Sequence, residues 1–218
     1  MESDAIVFDL DGTLLDSAPD IHACVNAMLA DFGLAPLELP TVTSFIGNGV
    51  PVLVERVLKA SQATEAVAHP AALKSLIAKY TDSDRALVTP YPSVRTLLIA
   101  LKVKRIPLGI CTNRPKDLAE DLLAQFDLLS YFDVIIGGDS LPVAKPNPAP
   151  LRLCIEQLGA SPKRTLFVGD SETDEQTAAA LGIPFAFFTS GYRKKPVADF
   201  NATFSFERFE DFEAMLAL

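Results

Sequence analysis

Apolar positions along the chain fall into two alternating patterns. Short unbroken runs occur at "AIVFD" (5–9), "IPLGICT" (106–112), "DVIIGG" (133–138), "TLFVGD" (165–170) and "PFAFF" (184–188). Runs of this length, rich in β-branched and aromatic residues, predict strands buried on both faces. Helical spacing lies between most of them. Leu118, Leu122 and Phe126 share one face, with Pro115 suited to a first turn. Leu151, Ile155 and Leu158 share another and stop at Gly159, and "TDEQTAAALG" ends in the same way at Gly182. Strands alternating with amphipathic helices predict an α/β doubly wound parallel sheet covered on both faces. Functional groups then belong at the carboxyl ends of the strands. Four of the five predicted strands finish there on polar or glycine residues: Asp9, Thr112, Gly138 and Asp170.

Residues 17–85 break the alternation and show no convincing strand. Ile21, Val25, Met28, Leu29 and Phe32 make one helical stripe. Val50, Leu53, Val54, Val57 and Leu58 make a second, and Leu73, Leu76, Ile77 and Tyr80 a third. The pattern predicts a core from residues 1–16 and 86–218, interrupted by a small α-helical cap from 17–85 above the strand ends. "VTPYPSV" (88–94) reads as the return linker, with hinges near Asp16 and near residues 85–90. In the tail, "FSFERFEDFEAML" places Phe209, Phe212, Met215 and Leu216 at the spacing of a packing helix.

Composition narrows the partners. The 218 residues carry 19 Lys and Arg against 28 Asp and Glu, a net charge of -9, which argues against a general nucleic-acid binder. The three cysteines, Cys24, Cys111 and Cys154, are scattered, without the spacing of a disulfide framework or a zinc site. No basic segment followed by an apolar run opens the chain, and no stretch approaches the length of a membrane span. A reduced, cytoplasmic setting without a membrane partner is expected, as a monomer or homodimer.

The stretch "VFDLDGTLLDS" (7–17) raises the chemical question. Asp9 and Asp11 point the same way from a strand end, and Gly12 lets the chain turn after them. Alone, such a pair is an ordinary turn. "GDSETD" (169–174) adds Asp170 at another strand end and Asp174 four residues on. Carboxylates gathered in one opening repel one another, and a hard divalent cation such as Mg²⁺ relieves the conflict. In "CTNRP" (111–115) Thr112 offers a hydroxyl ahead of a helix N-terminus, a favourable place for a phosphate oxygen. Lys145, in the proline-stiffened "AKPNPAP" (144–150), suits neutralisation of a phosphoryl group; by itself it reads as a solvated loop lysine.

Taken together, Asp9, Asp11, Gly12 and Thr13, then Thr112, Lys145, and Gly169, Asp170 and Asp174 resemble the ordered motifs of the haloacid dehalogenase superfamily over nearly the whole chain. The resemblance implies Asp9 as a nucleophile forming an aspartyl-phosphate and Asp11 as the acid and base. It implies Mg²⁺ held by Asp9, Asp170 and the backbone carbonyl of Asp11, with Asp174 orienting metal-bound water. Thr112, Asn113 and Lys145 would face the phosphate. An aspartate at position 11 favours phosphoryl transfer over dehalogenation. The stretch "SFIGNGVPVLVERVL" (44–58) is similar to the cap of phosphoglycolate phosphatases. Through it Gly47, Asn48, Gly49 and Arg56 become substrate-binding candidates, although Asn48 equally suits a helix cap and Arg56 a solvated face. Arg114 is a further cation within reach of the substrate or of neighbouring acids. The implied activity is hydrolysis of a small phosphorylated metabolite, 2-phosphoglycolate first. Sugar phosphates, nucleotides, pyrophosphate, a phosphomutase and a non-catalytic relative are the alternatives. His22 and His69 lack the partners of a catalytic triad.

Overall fold

The computed structural model describes residues 4–216, so the outermost positions of the expected core ranges, 1–3 and 217–218, lie outside it. Six parallel strands form the sheet: β1 (Ala5–Phe8), β4 (Leu108–Cys111), β5 (Val134–Ile136), β6 (Thr165–Gly169), β7 (Phe185–Phe188) and β8 (Phe204–Phe206). Their spatial order is β5-β4-β1-β6-β7-β8, so the winding reverses about β1, and the crevice at its carboxyl end is where a ligand site is expected.

Alternation along β1 explains the two layers. Ile6 and Phe8 point into one core with Leu108, Ile110, Leu166 and Val168, beneath α5 (Val94–Val103), α6 (Lys116–Gln125) and α9 (Phe209–Met215). Val7 points into the other with Cys111, Phe167 and Phe187, beneath α7 (Ala149–Gln157) and α8 (Glu172–Leu181). Gly182, at φ 64°, closes α8 in the left-handed conformation that glycine adopts without steric cost.

The insertion consists of α1 (Ala18–Asp31), α2 (Leu39–Thr43), α3 (Val50–Ala60) and α4 (His69–Asp82), packed around their own apolar cluster. Both crossings between insertion and core are tied together, because β2 (Leu15–Asp16) pairs antiparallel with β3 (Thr89–Pro90). No described helix is long and apolar enough to cross a membrane.

Three local expectations change. Helix α5 occupies a stretch the apolar pattern had left unassigned, and Leu97, Leu98 and Leu101 are its buried face. Strand β8 lies at the start of the expected tail helix: Phe204 and Phe206 alternate with exposed Ser205, a period of two that suits pairing with the edge of β7. In α4 the buried face is Ala72, Leu76 and Tyr80, whereas Ile77 is exposed.

The tail gives a direct packing test. Phe212 is wholly buried against Phe8, Phe204 and Phe206, while Met215 is 47% exposed. Urea unfolding should show Phe212→Ala losing about 3–5 kcal/mol. Met215→Ser should stay within about 0.5 kcal/mol. Equal losses would contradict this packing.

Candidate active site

The loop after β1 is shaped by close approach. Asp9 donates its amide to the Val168 carbonyl at 2.9 Å, and its Oδ1 accepts from the Leu10 amide at 2.7 Å. Gly12 has φ 85°, and a Cβ there would lie 2.5 Å from Asp170 Oδ2, so the turn and its neighbour both require glycine. Strand β6 delivers Asp170, and the first turn of α8 delivers Asp174, whose Oδ2 accepts from the Ser171 amide and hydroxyl at 3.1 and 2.6 Å.

Asp9, Asp170 and Asp174 are buried, with one oxygen from each lying within 4.8 Å of the others. Lys145 is buried among them, its Nζ 2.6 Å from Asp174 Oδ1 and 3.0 Å from Asp9 Oδ1. The solvated reading of Lys145 therefore fails, since its side chain is 1% exposed. Burial opposes its charge, but Asp174 and Asp9 outweigh that and raise its pKa. Asp170 accepts from Thr13 Oγ1 at 2.7 Å and the Tyr192 amide at 2.6 Å, both neutral donors. Burial first, then Asp174 and Asp9, push its pKa well up. Burial, followed by repulsion from Asp174, lifts Asp9 to about 7. Three buried carboxylates against one ammonium leave excess negative charge. An all-oxygen donor set of that charge fits a hard divalent ion such as Mg²⁺.

The Asp11 carboxylate stands outside this cluster. It accepts from Arg114 Nη2 at 2.8 Å and Nε at 3.0 Å, and from the Ser17 hydroxyl. Burial disfavours its ionisation, but Arg114 and the Ser17 hydroxyl overcome that and lower its pKa. Of the expected metal set, Asp9, Asp170 and Asp174 converge as carboxylates, and Asp11 has only its backbone carbonyl left for the role implied above.

Asp9, Asp11, Thr112, Asn113 and Arg114 line a cleft closed from the insertion side by Gly47, Gly49 and apolar residues, with about 50 Å³ open to the centres of water molecules. Asn113 joins two loops: its Nδ2 donates to the Gly47 carbonyl at 2.8 Å and the Lys145 carbonyl at 2.9 Å, while its Oδ1 accepts from the Lys145 amide at 2.9 Å. Thr112 Oγ1 accepts from the Arg114 amide at 3.1 Å. Asn48 and Arg56 are not among the residues lining this cleft. Arg56 donates to the Phe45 carbonyl and to Asn48 Oδ1, both at 2.8 Å, and Asn48 Nδ2 donates to Thr173 Oγ1 at 3.2 Å. They brace the insertion loop against α8. His22 and His69 bond to the Leu37 and Pro51 carbonyls within the insertion.

Two residues gain weight from the structure. Arg114, which its place beside Thr112 makes worth testing, lines the cleft and pairs with Asp11. Tyr192 had no periodic signal; its one clue was a glycine turn shortly beyond the end of a strand. Its hydroxyl donates to Asp16 Oδ1 at 2.8 Å and accepts from the Ser17 and Ala18 amides, connecting the crossing into α1 with Asp170.

Residues 6–188 match the family model described as haloacid dehalogenase-like hydrolase. The chain belongs to this family. Within the haloacid dehalogenase-like hydrolases, a phosphoglycolate phosphatase of Cereibacter sphaeroides (strain ATCC 17029) is 48% identical over 193 residues, 88% of each chain. Phosphoglycolate phosphatase 1 of Pseudomonas aeruginosa is 40% identical over 210 residues, 94% of this chain and 77% of that one. The crystal structure of a predicted phosphoglycolate phosphatase from Haemophilus somnus superposes with a TM-score of 0.94 at 32% identity, covering 99% of both chains.

Removing one charge tests the cluster. In EDTA, Asp170→Asn relieves repulsion, keeps one oxygen to accept from the Tyr192 amide and places its NH2 group to donate to Thr13 Oγ1, so its thermal midpoint should equal or exceed that of the wild type. Excess Mg²⁺ should raise the wild-type midpoint by mass action and leave the variant's nearly unchanged. The same Mg²⁺ shift in both proteins would contradict a metal role for Asp170.

Proposed function

We propose that this phosphatase hydrolyses 2-phosphoglycolate to glycolate and phosphate, with Mg²⁺ as cofactor and an aspartyl-phosphate on Asp9 as the intermediate. The observation that carries the reading is Asp9 at the floor of a small cleft whose insertion-side wall consists of Ile21, Ile46, Gly47, Gly49, Val50, Leu53 and Tyr80. Apart from the tyrosine hydroxyl, that wall offers no polar side chain. A polyol or a nucleobase would leave its hydrogen-bonding groups unpartnered there, whereas a two-carbon substrate does not. The names of the relatives above support the same substrate.

Asp9 attacks phosphorus, and the bond from phosphorus to the glycolate oxygen breaks with its electron pair on that oxygen, which takes a proton from Asp11. Asp11, a carboxylate paired with Arg114 at rest, must first leave that pair and take up a proton from water. Asp11 then takes a proton from the water that attacks the acyl phosphate, releasing phosphate and restoring Asp9. Thr112 and Lys145 hold the phosphoryl oxygens as charge shifts. Asp9, Asp170 and the Asp11 carbonyl would hold Mg²⁺, which would supply positive charge to screen the nucleophile from the phosphate. Asn113 keeps the Lys145 loop against Gly47, and Gly47 and Gly49 bring the insertion backbone close to the substrate. Asn48 and Arg56 act by bracing that loop. The same reading assigns the protein to the cytoplasm.

The test is kcat/KM with Mg²⁺ across 2-phosphoglycolate, sugar phosphates, nucleotides and pyrophosphate, together with acid-quench trapping of labelled phosphate on the protein. 2-Phosphoglycolate should lead by about a hundredfold, about 2.7 kcal/mol of transition-state binding. Asp9→Asn should lose at least about a thousandfold in turnover and all trapped label. A flat profile would overturn the substrate, and an active Asp9→Asn would overturn the nucleophile.

A further inference from the structure

Arg114 is the single cation among the described residues that line the cleft. Its side chain is 8% exposed, so its charge is held in a largely desolvated place. Nε and Nη2 engage Asp11, while Nη1 donates to no described protein atom. Among the described side chains, the fully buried polar atom without a partner is Ser61 Oγ, so Nη1 keeps some exposure, and Arg114 lines the cleft. The guanidinium also lies 5.4 Å from the centre of the Tyr80 ring, which fixes its height above the apolar wall. Asp20, in the first turn of α1, accepts from the Ser83 hydroxyl at 2.7 Å.

We infer that Arg114 determines specificity by binding the carboxylate of a short phosphorylated acid, first at Nη1 and then across the fork that Asp11 now holds. The inference rests on the phosphatase reading above and deepens it. With the phosphoryl group at Asp9, Thr112 and Lys145, the far end of a two-carbon substrate meets a mostly apolar wall in which Arg114 is the one cation among the described lining residues. A planar fork in a desolvated site pairs with a carboxylate through parallel N–H donors, which an amide cannot match in charge or geometry. Transfer of the fork to the substrate also takes Asp11 out of its resting pair. The side chain needed at the scissile oxygen is thus released by the substrate that carries the recognised group, and an ester lacking the carboxylate leaves Asp11 bound to Arg114.

The experiment compares kcat/KM for 2-phosphoglycolate with that for 2-phosphoglycolamide, the isostere in which a neutral amide replaces the carboxylate, with Mg²⁺. The wild type should favour the acid by about a hundredfold or more. In Arg114→Met the ratio should fall to about threefold or less, and in Arg114→Lys it should fall at least about tenfold, because a point charge lacks the fork. A residue that merely held Asp11 in place would lower both esters together and preserve the ratio, so a preserved ratio overturns the inference. Circular dichroism melts identify a variant that fails to fold, and the wild-type ratio decides without any variant: equal turnover of both esters overturns this inference alone. Turnover of neither ester overturns the phosphoglycolate reading and this inference together.

Discussion

The site depends on a buried imbalance of charge. Lys145 Nζ sits between Asp174 and Asp9, while Asp170, drawn into the same space, has only neutral donors. Buried carboxylates this close are costly unless a cation joins them. The fold nevertheless enforces their proximity, because Asp9 and Asp170 extend neighbouring parallel strands and Asp174 caps the helix that follows. Gly12 has no Cβ to hold these segments apart. An arrangement so costly when empty is well suited to binding a metal ion and a phosphoryl group.

The rest of the molecule transmits to that point. Asn113 ties the Lys145 loop to Gly47 of the insertion, and Asn48 reaches Thr173 beside Asp174. Tyr192 bonds to Asp16, Ser17 and Ala18 at the crossing into α1, and its own amide bonds to Asp170. The insertion is thereby joined to the charged cluster through side chains fixed on the core. The cleft leaves little space above Asp9, which suits a small substrate.

Much of this was legible in the sequence because it obeys local rules. The strands announce themselves as unbroken apolar runs, and their terminal residues Asp9, Thr112 and Asp170 could be read as one edge before any coordinates. The carboxylate cluster was expected from Asp9 at one strand end and from Asp170 and Asp174 close together after another. What sequence spacing could not express was partnership across the chain. Taken alone Lys145 reads as a solvated lysine, and only its place among the ordered motifs pointed to the site; its partner Asp174 lies 29 residues away. Arg56 reads as a solvated or substrate-binding group until Phe45 and Asn48 take its donors. Tyr192 carries no periodic signal, because its value lies in contacts with residues 174–176 positions distant. Strand β8 was hidden by the helical spacing of the phenylalanines beyond it, since pairing with an exposed sheet edge overrides local propensity.

The central claim is that the carboxylate cluster is completed by a divalent ion. Anomalous diffraction from crystals grown with Mn²⁺ in place of Mg²⁺ tests it most directly. The account predicts a peak bonded to carboxylate oxygens of Asp9 and Asp170, with Lys145 still paired to Asp174. A cluster that stays free of metal at saturating Mn²⁺, or a peak at another group of acids, would contradict it.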